Sequence, residues 1–324
     1  MGNQPKSDYY NNVEYKSNSM LGWLKRSPVY FKACVEKKFE QKETTSLERG
    51  TLLHTYILEP EKFIVADIEP VGGMMGEFIR HLAAGVPSAE AHQKVGFKYS
   101  LAKVIENLEK PENQTYYNFL LEATDKLVIS KNDKYIIERC KESIVNNKTA
   151  SNLLFHTEGD VEIYNEYEIF EDDFIVKGFK AKAKLDRVIV NRKEGWAIIS
   201  DLKTTSKTCY GELRRLHDTG VPSIDYYATG FMSSYIGYNY YRQQAYYAAL
   251  ALKHFGVESV TSFVIPVETN GMFECAVYKQ SREFGMMGLN EIKSLISRYM
   301  WHEKTDIWTL PMELSKANTG YGII

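Results

Sequence analysis

Apolar and polar positions first change rhythm along this chain near residue 160. Before that point apolar residues recur every three to four positions, the spacing of a helix face. Ser19 to Phe39 predicts two short helices, the second begun by Ser27-Pro28. Ser46 to Glu59 predicts a helix capped by Ser46 and stopped before Pro60, with Leu53, Tyr56 and Ile57 on its apolar side. Further helical pieces fall near Met75–Ala84, Ser88–Val95, Ser100–Glu109, Tyr116–Lys126 and Asp133–Val145. From residue 161 the period shortens to two, predicting strands over Val161–Phe170, Phe174–Val190 and Gly195–Lys203. A strong helix over Tyr240–Leu252 follows, then strands near Ser259–Val267 and Met272–Lys279 and a last helix over Arg282–Trp301. Residues 1–15 read as loosely ordered. The order of strands and helices is that of a mixed α/β layer, and the segments divide as 1–71, a helical insert at 72–150, and a core at 151–324.

Charge enters this pattern at one informative place. Trp196-Ala197-Ile198-Ile199 is apolar enough for a largely buried strand, and Asp201 and Lys203 stand where that strand leaves the core. Two apart, they emerge on one side while Leu202 points into the packing. A charge there is costly unless it is paired or bound to metal. In the preceding strand Lys180, Lys182, Lys184 and Asp186 share a face, opposite Phe179, Ala181, Ala183 and Leu185. Two Asp and one Lys are what a phosphodiester-hydrolysing centre needs: hard oxygen ligands for Mg²⁺ or Mn²⁺ and a cation beside the attacking water. A lone D-x-K is common by chance, and alternating Lys on a strand is more often a solvated face.

Company makes the triplet specific. Gly50 lies one turn before His54, and Gln243 and Tyr247 lie four apart on one helix face. In order, G-x-x-x-H, D, D-x-K-T-T and Y-x-x-Q-x-x-x-Y resemble the PD-(D/E)XK nuclease superfamily, in its exonuclease VIII (RecE-like) and RecB-like branch. The stretches Ser17–Leu21, Arg26–Phe31, Arg49–Phe63 and Val128–Ala150 are similar to that branch as well, and residues 72–126 depart from it. The resemblance implies a mixed-sheet, restriction-endonuclease-like α/β core flanked by helices, with an N-terminal helical region.

Residue by residue, the resemblance makes Asp186 and Asp201 the acids of the signature and Lys203 its lysine; Leu185 precedes Asp186 where the signature has Pro. It makes His54 and the Leu202 carbonyl additional metal ligands, and Gln243 and Tyr247 the motif that braces the site and contacts DNA, with Tyr240, Thr204, Thr205, Lys180, Lys182 and Lys184 in support. Glu166 falls where relatives often carry a glutamate, with Glu162 and Glu168 competing for the place. The implied cofactor is Mg²⁺, with Mn²⁺ as a substitute and two ions expected. The implied activity is degradation of linear double-stranded DNA, 5′ to 3′, by a ring-forming homo-oligomer working with a single-strand annealing protein. A phage or prophage protein in the host cytoplasm is the expected setting.

Composition sets bounds on this reading. At 324 residues and 44% hydrophobic content the chain can bury a sizeable core. No apolar run approaches the roughly 20 residues of a membrane span, and the polar start is not that of a signal peptide. The four cysteines are widely spaced, which suits a reduced setting and excludes an iron–sulfur member of the superfamily. A net charge of −2 is not that of a general DNA binder, so binding needs a local basic groove, for which Lys207, Arg214, Arg215 and Arg242 join the lysines named above. The 23 tyrosines, dense at 226–227 and 235–241, suit either base stacking or packing. Two rivals remain: an endonuclease or flap nuclease on the same core, and a DNA-binding assembly protein that does not cut. An intact acid-acid-lysine set favours the enzymes. No G-x-x-x-x-G-K-[ST] loop or H-E-x-x-H helix is present.

Overall fold

Ser27 separates the first two helices of the computed structural model, which describes residues 9–38, 45–65, 68, 70–123, 127–129, 131–156, 158–215, 226–309 and 311. The extended backbone of Ser27 ends α1 (Asn18–Arg26), and its hydroxyl accepts the Tyr30 N–H to cap α2 (Pro28–Val35). The chain then divides into two units, residues 1–44 with 144–324, and residues 45–143. The division falls at other places than the segments read from the sequence. The His54 helix groups with the helical region and not with the sheet.

In the second unit, α3 (Thr45–Leu58) ends before Pro60, a 3₁₀ turn spans Pro60–Lys62, and β1 (Phe63–Val65) follows. The helices α4 (Gly73–Ala83), α5 (Ser88–Val95), α6 (Leu101–Leu108) and α7 (Pro111–Ala123) come next, then β2 (Leu127–Ile129) and α8 (Lys131–Asn146). Phe78, Ile79, Ala91, Phe97, Val104, Leu108 and Tyr116 form a core of their own beneath these helices. The pairing of β1 with β2, in parallel, is not foreseen by the sequence, because three-residue strands are too short to show a period of two. The cap residue Ser46 lies outside the described side chains.

The first unit resumes with α9 (Lys148–Phe155) and then β3 (Glu162–Glu171), β4 (Ala181–Asn191) and β5 (Trp196–Thr205). A short hairpin, β6 (Leu213–Arg215) and β7 (Tyr226–Ala228), precedes α10 (Gly230–Gly237) and α11 (Tyr240–Phe255). The chain closes with β8 (Ser259–Glu268), β9 (Tyr278–Lys279) and α12 (Arg282–Thr305). The five-stranded sheet runs β3-β4-β5-β8-β9, antiparallel except for the β5–β8 pair. That parallel pair needs a long crossover, which α10 and α11 provide. The result is the mixed α/β sheet flanked by helices that the sequence predicts.

Three readings are corrected in detail. The strand expected from Phe174 begins only at Ala181, because Asp173 and Ile175 take left-handed backbone angles and turn the chain back on itself. The strand expected over 272–279 is reduced to Tyr278–Lys279 and a bridge from Cys275 to Val267. Residues 9–15, expected to be loose, are fastened. Lys16 makes a parallel bridge to Ala181, and the Tyr15 hydroxyl donates to Asp172.

The core lies between sheet and helices. Ala181, Ala183, Leu185, Val188, Val190, Ala197 and Ile199 pack with Tyr246, Leu250 and Phe255 of α11 and Ile292, Leu295 and Ile296 of α12. A β-carbon at Gly288 of α12 would come within 2.8 Å of Ala245 Cβ and of the Tyr241 carbonyl, so the two helices cross where only glycine fits. This crossing holds α11, and with it Gln243 and Tyr247, against the sheet.

Candidate active site

The site is built where β4 and β5 part. Their ladder runs from Asn191–Trp196 to Arg187–Ser200 and stops one pair short of Asp186 and Asp201, which stand next in register. β5 continues beyond that point on its other side, paired with β8 through Thr205. The Leu202 amide, released from the ladder, donates to Asp186 Oδ2 at 2.8 Å. In a strand the N–H and C=O of one residue point to the same side, so the Leu202 carbonyl is aimed toward β4 as well. The Leu202 side chain is fully buried and anchors this turn of backbone.

Glu166 completes a row. The β3–β4 register pairs Asn165 with Arg187 and Tyr167 with Leu185, leaving Glu166 opposite Asp186 but out of the ladder. Its φ of 47° puts a non-glycine residue in the left-handed region in mid-strand, a strain that proteins keep mainly at functional positions. Carboxylate oxygens of Glu166 and Asp186 lie within 4.8 Å of each other. The rival glutamates face elsewhere in register, Glu162 opposite Val190 and Glu168 opposite Lys184. Three acids from three adjacent strands therefore stand side by side, Glu166, Asp186 and Asp201.

Like charges directly across a sheet repel, and Asp201 is only 2% exposed, so the row needs cations. Lys184 Nζ lies 2.7 Å from Glu166 and Lys203 Nζ 2.6 Å from Asp201. Burial by itself would favour neutral Lys203, but the charges of Asp201 and Asp186 outweigh it and raise the ammonium above its ordinary value. The same nitrogen sits 5.4 Å from the centroid of the Tyr240 ring. Gln243 Nε2 donates to the Tyr247 hydroxyl at 2.9 Å. That hydroxyl holds its proton more tightly than usual, first through burial and then through the nearby charges of Asp201 and Asp186. The helix motif thus faces the two acids.

Other residues named from the sequence take varied places. Thr205 is buried, and its hydroxyl accepts the Lys207 N–H at 3.0 Å; Thr204 is half-buried beside it. Lys180 pairs with Glu14 and approaches Asp172. Lys182 turns inward, only 3% exposed, and donates to the carbonyls of Tyr9 and Asn12. Arg242 is buried between Glu291 and Asn18 and so leaves the set of groove cations. Lys207 reaches Ser233, and Arg214 pairs with Glu212 over the Tyr227 ring. The Arg215 side chain and Asp225 lie outside the described residues. His54 stands half-buried on α3 of the second unit.

Of the two readings for the tyrosine-rich stretch, packing holds for Tyr235 and Tyr241, which are buried with Phe231 and bonded to Gln244 and Glu291. Tyr227 and Tyr238 stay exposed.

Residues 17–316 match the family of PDDEXK-like domains of unknown function (DUF3799). Among solved structures, a candidate exonuclease from Eubacterium rectale is similar over 100% of this chain and 95% of that chain, at 14% identity and a TM-score of 0.53, a likeness of fold. No curated protein matches the sequence.

Proposed function

Because the chain belongs to the family of PDDEXK-like domains of unknown function, we propose that it is a divalent-metal-dependent deoxyribonuclease that shortens linear double-stranded DNA from its ends. The observation that carries this reading is the row Glu166, Asp186 and Asp201 with Lys203 at its edge, set where β4 and β5 part.

The donor set fits a hard divalent cation. Carboxylates of Asp186 and Asp201, the Leu202 carbonyl and Glu166 offer oxygen only, and the row's mutual repulsion falls when a cation enters it. A bound Mg²⁺ or Mn²⁺ supplies Lewis acidity and an easily ionised water. The remaining work belongs to the chain. The Leu202 amide fixes the Asp186 carboxylate by hydrogen bonding. Lys203, kept protonated by Asp201 and Asp186, donates to the attacking water or to a phosphate oxygen and offsets charge on the pentavalent phosphorus. Its ammonium is thus suited to orientation and charge, not to taking a proton. Tyr247, fixed by Gln243, presents a protonated hydroxyl beside the acids that can donate to a phosphate. His54 as a ligand, two ions per site, 5′ to 3′ polarity, ring assembly and an annealing partner come from the sequence resemblance and are parts of the same proposal.

The test incubates wild type and Asp201→Ala with Mg²⁺, an end-labelled linear duplex and a covalently closed circle. Loss of the linear DNA alone, reduced on the order of 10²–10³-fold in the variant, is the expected result. Label order gives the polarity. Cleavage of the circle replaces the reading by an endonuclease, and binding without loss of either DNA replaces it by a non-cutting protein.

A further inference from the structure

Beyond the acid row, one exposed aromatic ring stands close to the cation at its edge. Lys203 Nζ lies 5.4 Å from the Tyr240 ring centroid, and that ring meets the Tyr238 ring at 5.7 Å with a 44° tilt. The two steps together span at most about three nucleotides of stacked strand. Tyr240 is half-buried, whereas Tyr238 is 69% exposed. Among the described residues Tyr240 is the one aromatic partner of Tyr238. Packing, which accounts for Tyr235 and Tyr241, does not account for it.

The ring is held out by a short turn that is tied on both sides. The Tyr238 N–H closes α10 on the Ser234 carbonyl at 2.9 Å. Asn239 then takes a left-handed φ of 57°, which Asn tolerates better than most residues, and its carbonyl accepts the Arg242 and Gln243 amides at 3.0 and 3.1 Å to begin α11. Its side-chain oxygen receives Lys25 Nζ at 2.8 Å and the Tyr241 hydroxyl at 3.1 Å. A ring fixed in this way loses little freedom when a ligand covers it. Every nucleobase has a π-face, and a ring set beside cations suits a strand that must be held by base and by backbone together.

We propose that Tyr238 recognises the DNA end: its ring stacks on the outer face of the terminal base while Lys203 meets the phosphate to be cut. Inside a duplex both faces of each base pair are covered by neighbours, so only an end presents a free face without costly unstacking. A residue outside both the acid row and the helix motif thereby favours ends over interior sites. This rests on the nuclease reading of the centre, but not on which strand is degraded.

The test uses the full-length protein and two internally labelled linear duplexes, one with intact ends and one whose terminal nucleotides are abasic. Binding is followed by fluorescence anisotropy with Ca²⁺ in place of Mg²⁺, and cutting by kcat and KM with Mg²⁺. Wild type is expected to bind intact ends on the order of tenfold more tightly than abasic ends. Tyr238→Ala is expected to bind both DNAs as wild type binds the abasic one. Its KM on intact duplex should rise on the order of tenfold with kcat within about twofold. Tyr238→Phe keeps the ring and is expected to match wild type, and circular dichroism checks that each variant is folded. Equal weakening of Tyr238→Ala on both DNAs, or no weakening on either, overturns the proposal. If wild type binds linear duplex but cuts nothing, the nuclease reading fails and the binding series still decides the contact of Tyr238. If wild type binds neither DNA, both fall.

Discussion

At the scale of single residues, the centre trades backbone comfort for placement. Asp186, Asp201 and Lys203 are legible in the sequence because strand alternation and an apolar run fix where a charge must leave the core. Glu166 is not legible with the same force, since its importance lies in a φ of 47° and in a register with Asp186 that only the folded sheet displays. A left-handed non-glycine residue costs roughly 1–2 kcal/mol. Glu166→Gly and Glu166→Ala both delete the carboxylate and the contact to Lys184, but only glycine relieves the angle. Glu166→Gly is therefore expected to be more stable than Glu166→Ala by about 1 kcal/mol, while both lose affinity for Mn²⁺ to a similar extent. Urea denaturation and metal titration check the two halves separately. Equal stability of the two variants would mean that the turn at Glu166 is not strained.

Between elements, the acid row depends on α11 staying pressed on the sheet, and a charged network fastens α11 to its neighbours. Glu291 of α12 receives Arg242 Nη1 at 2.8 Å and the Tyr241 hydroxyl at 2.7 Å from α11, and Lys25 of α1 at 2.8 Å. Burial alone would raise its carboxyl, yet hydrogen bonds from Lys25, Tyr241 and Arg242 hold it below the ordinary glutamate value of 4.5. A carboxyl depressed in the folded state adds stability above its unfolded value and loses it as pH falls through the folded one. Glu291→Gln keeps the shape but strips Arg242, whose side chain is 4% exposed, of its counter-charge. Its cost is expected to be on the order of 2 kcal/mol near neutral pH, below that of a fully buried pair because Glu291 is partly wet. The gap to wild type should narrow below pH 4.5 and not above it, as followed by thermal unfolding across pH. A gap that persists at low pH would show that the network acts by shape alone. None of this was legible in the sequence, where Arg242 reads as a groove cation, because a partner 49 residues away leaves no periodic trace. The long elements α11, α12 and β5 were legible for the opposite reason: each carries its pattern over ten residues or more.

For the whole molecule, charge limits how the DNA of the proposed reaction would be held. The net charge is −2, and the cations that a sequence reading would spend on phosphates are in part spent inside the protein. Lys182 serves the opening segment, Arg242 serves α12, and Lys180 pairs with Glu14. Among the described residues, Lys184, Lys203, Lys207 and Arg214 remain near enough in sequence and strand to meet a backbone, and two of them already answer acids of the row. Each phosphate neutralised contributes a slope of about −0.9 to log K against log salt, so one protomer on a duplex end should show a slope near −3. The measurement is fluorescence anisotropy of an end-labelled duplex across salt, with Asp201→Ala and Ca²⁺ used to suppress cutting. A slope steeper than about −7 would require more phosphate contacts than one set of these cations can make. DNA would then be gripped by several copies at once, and the basic surface would belong to the assembly more than to the single chain.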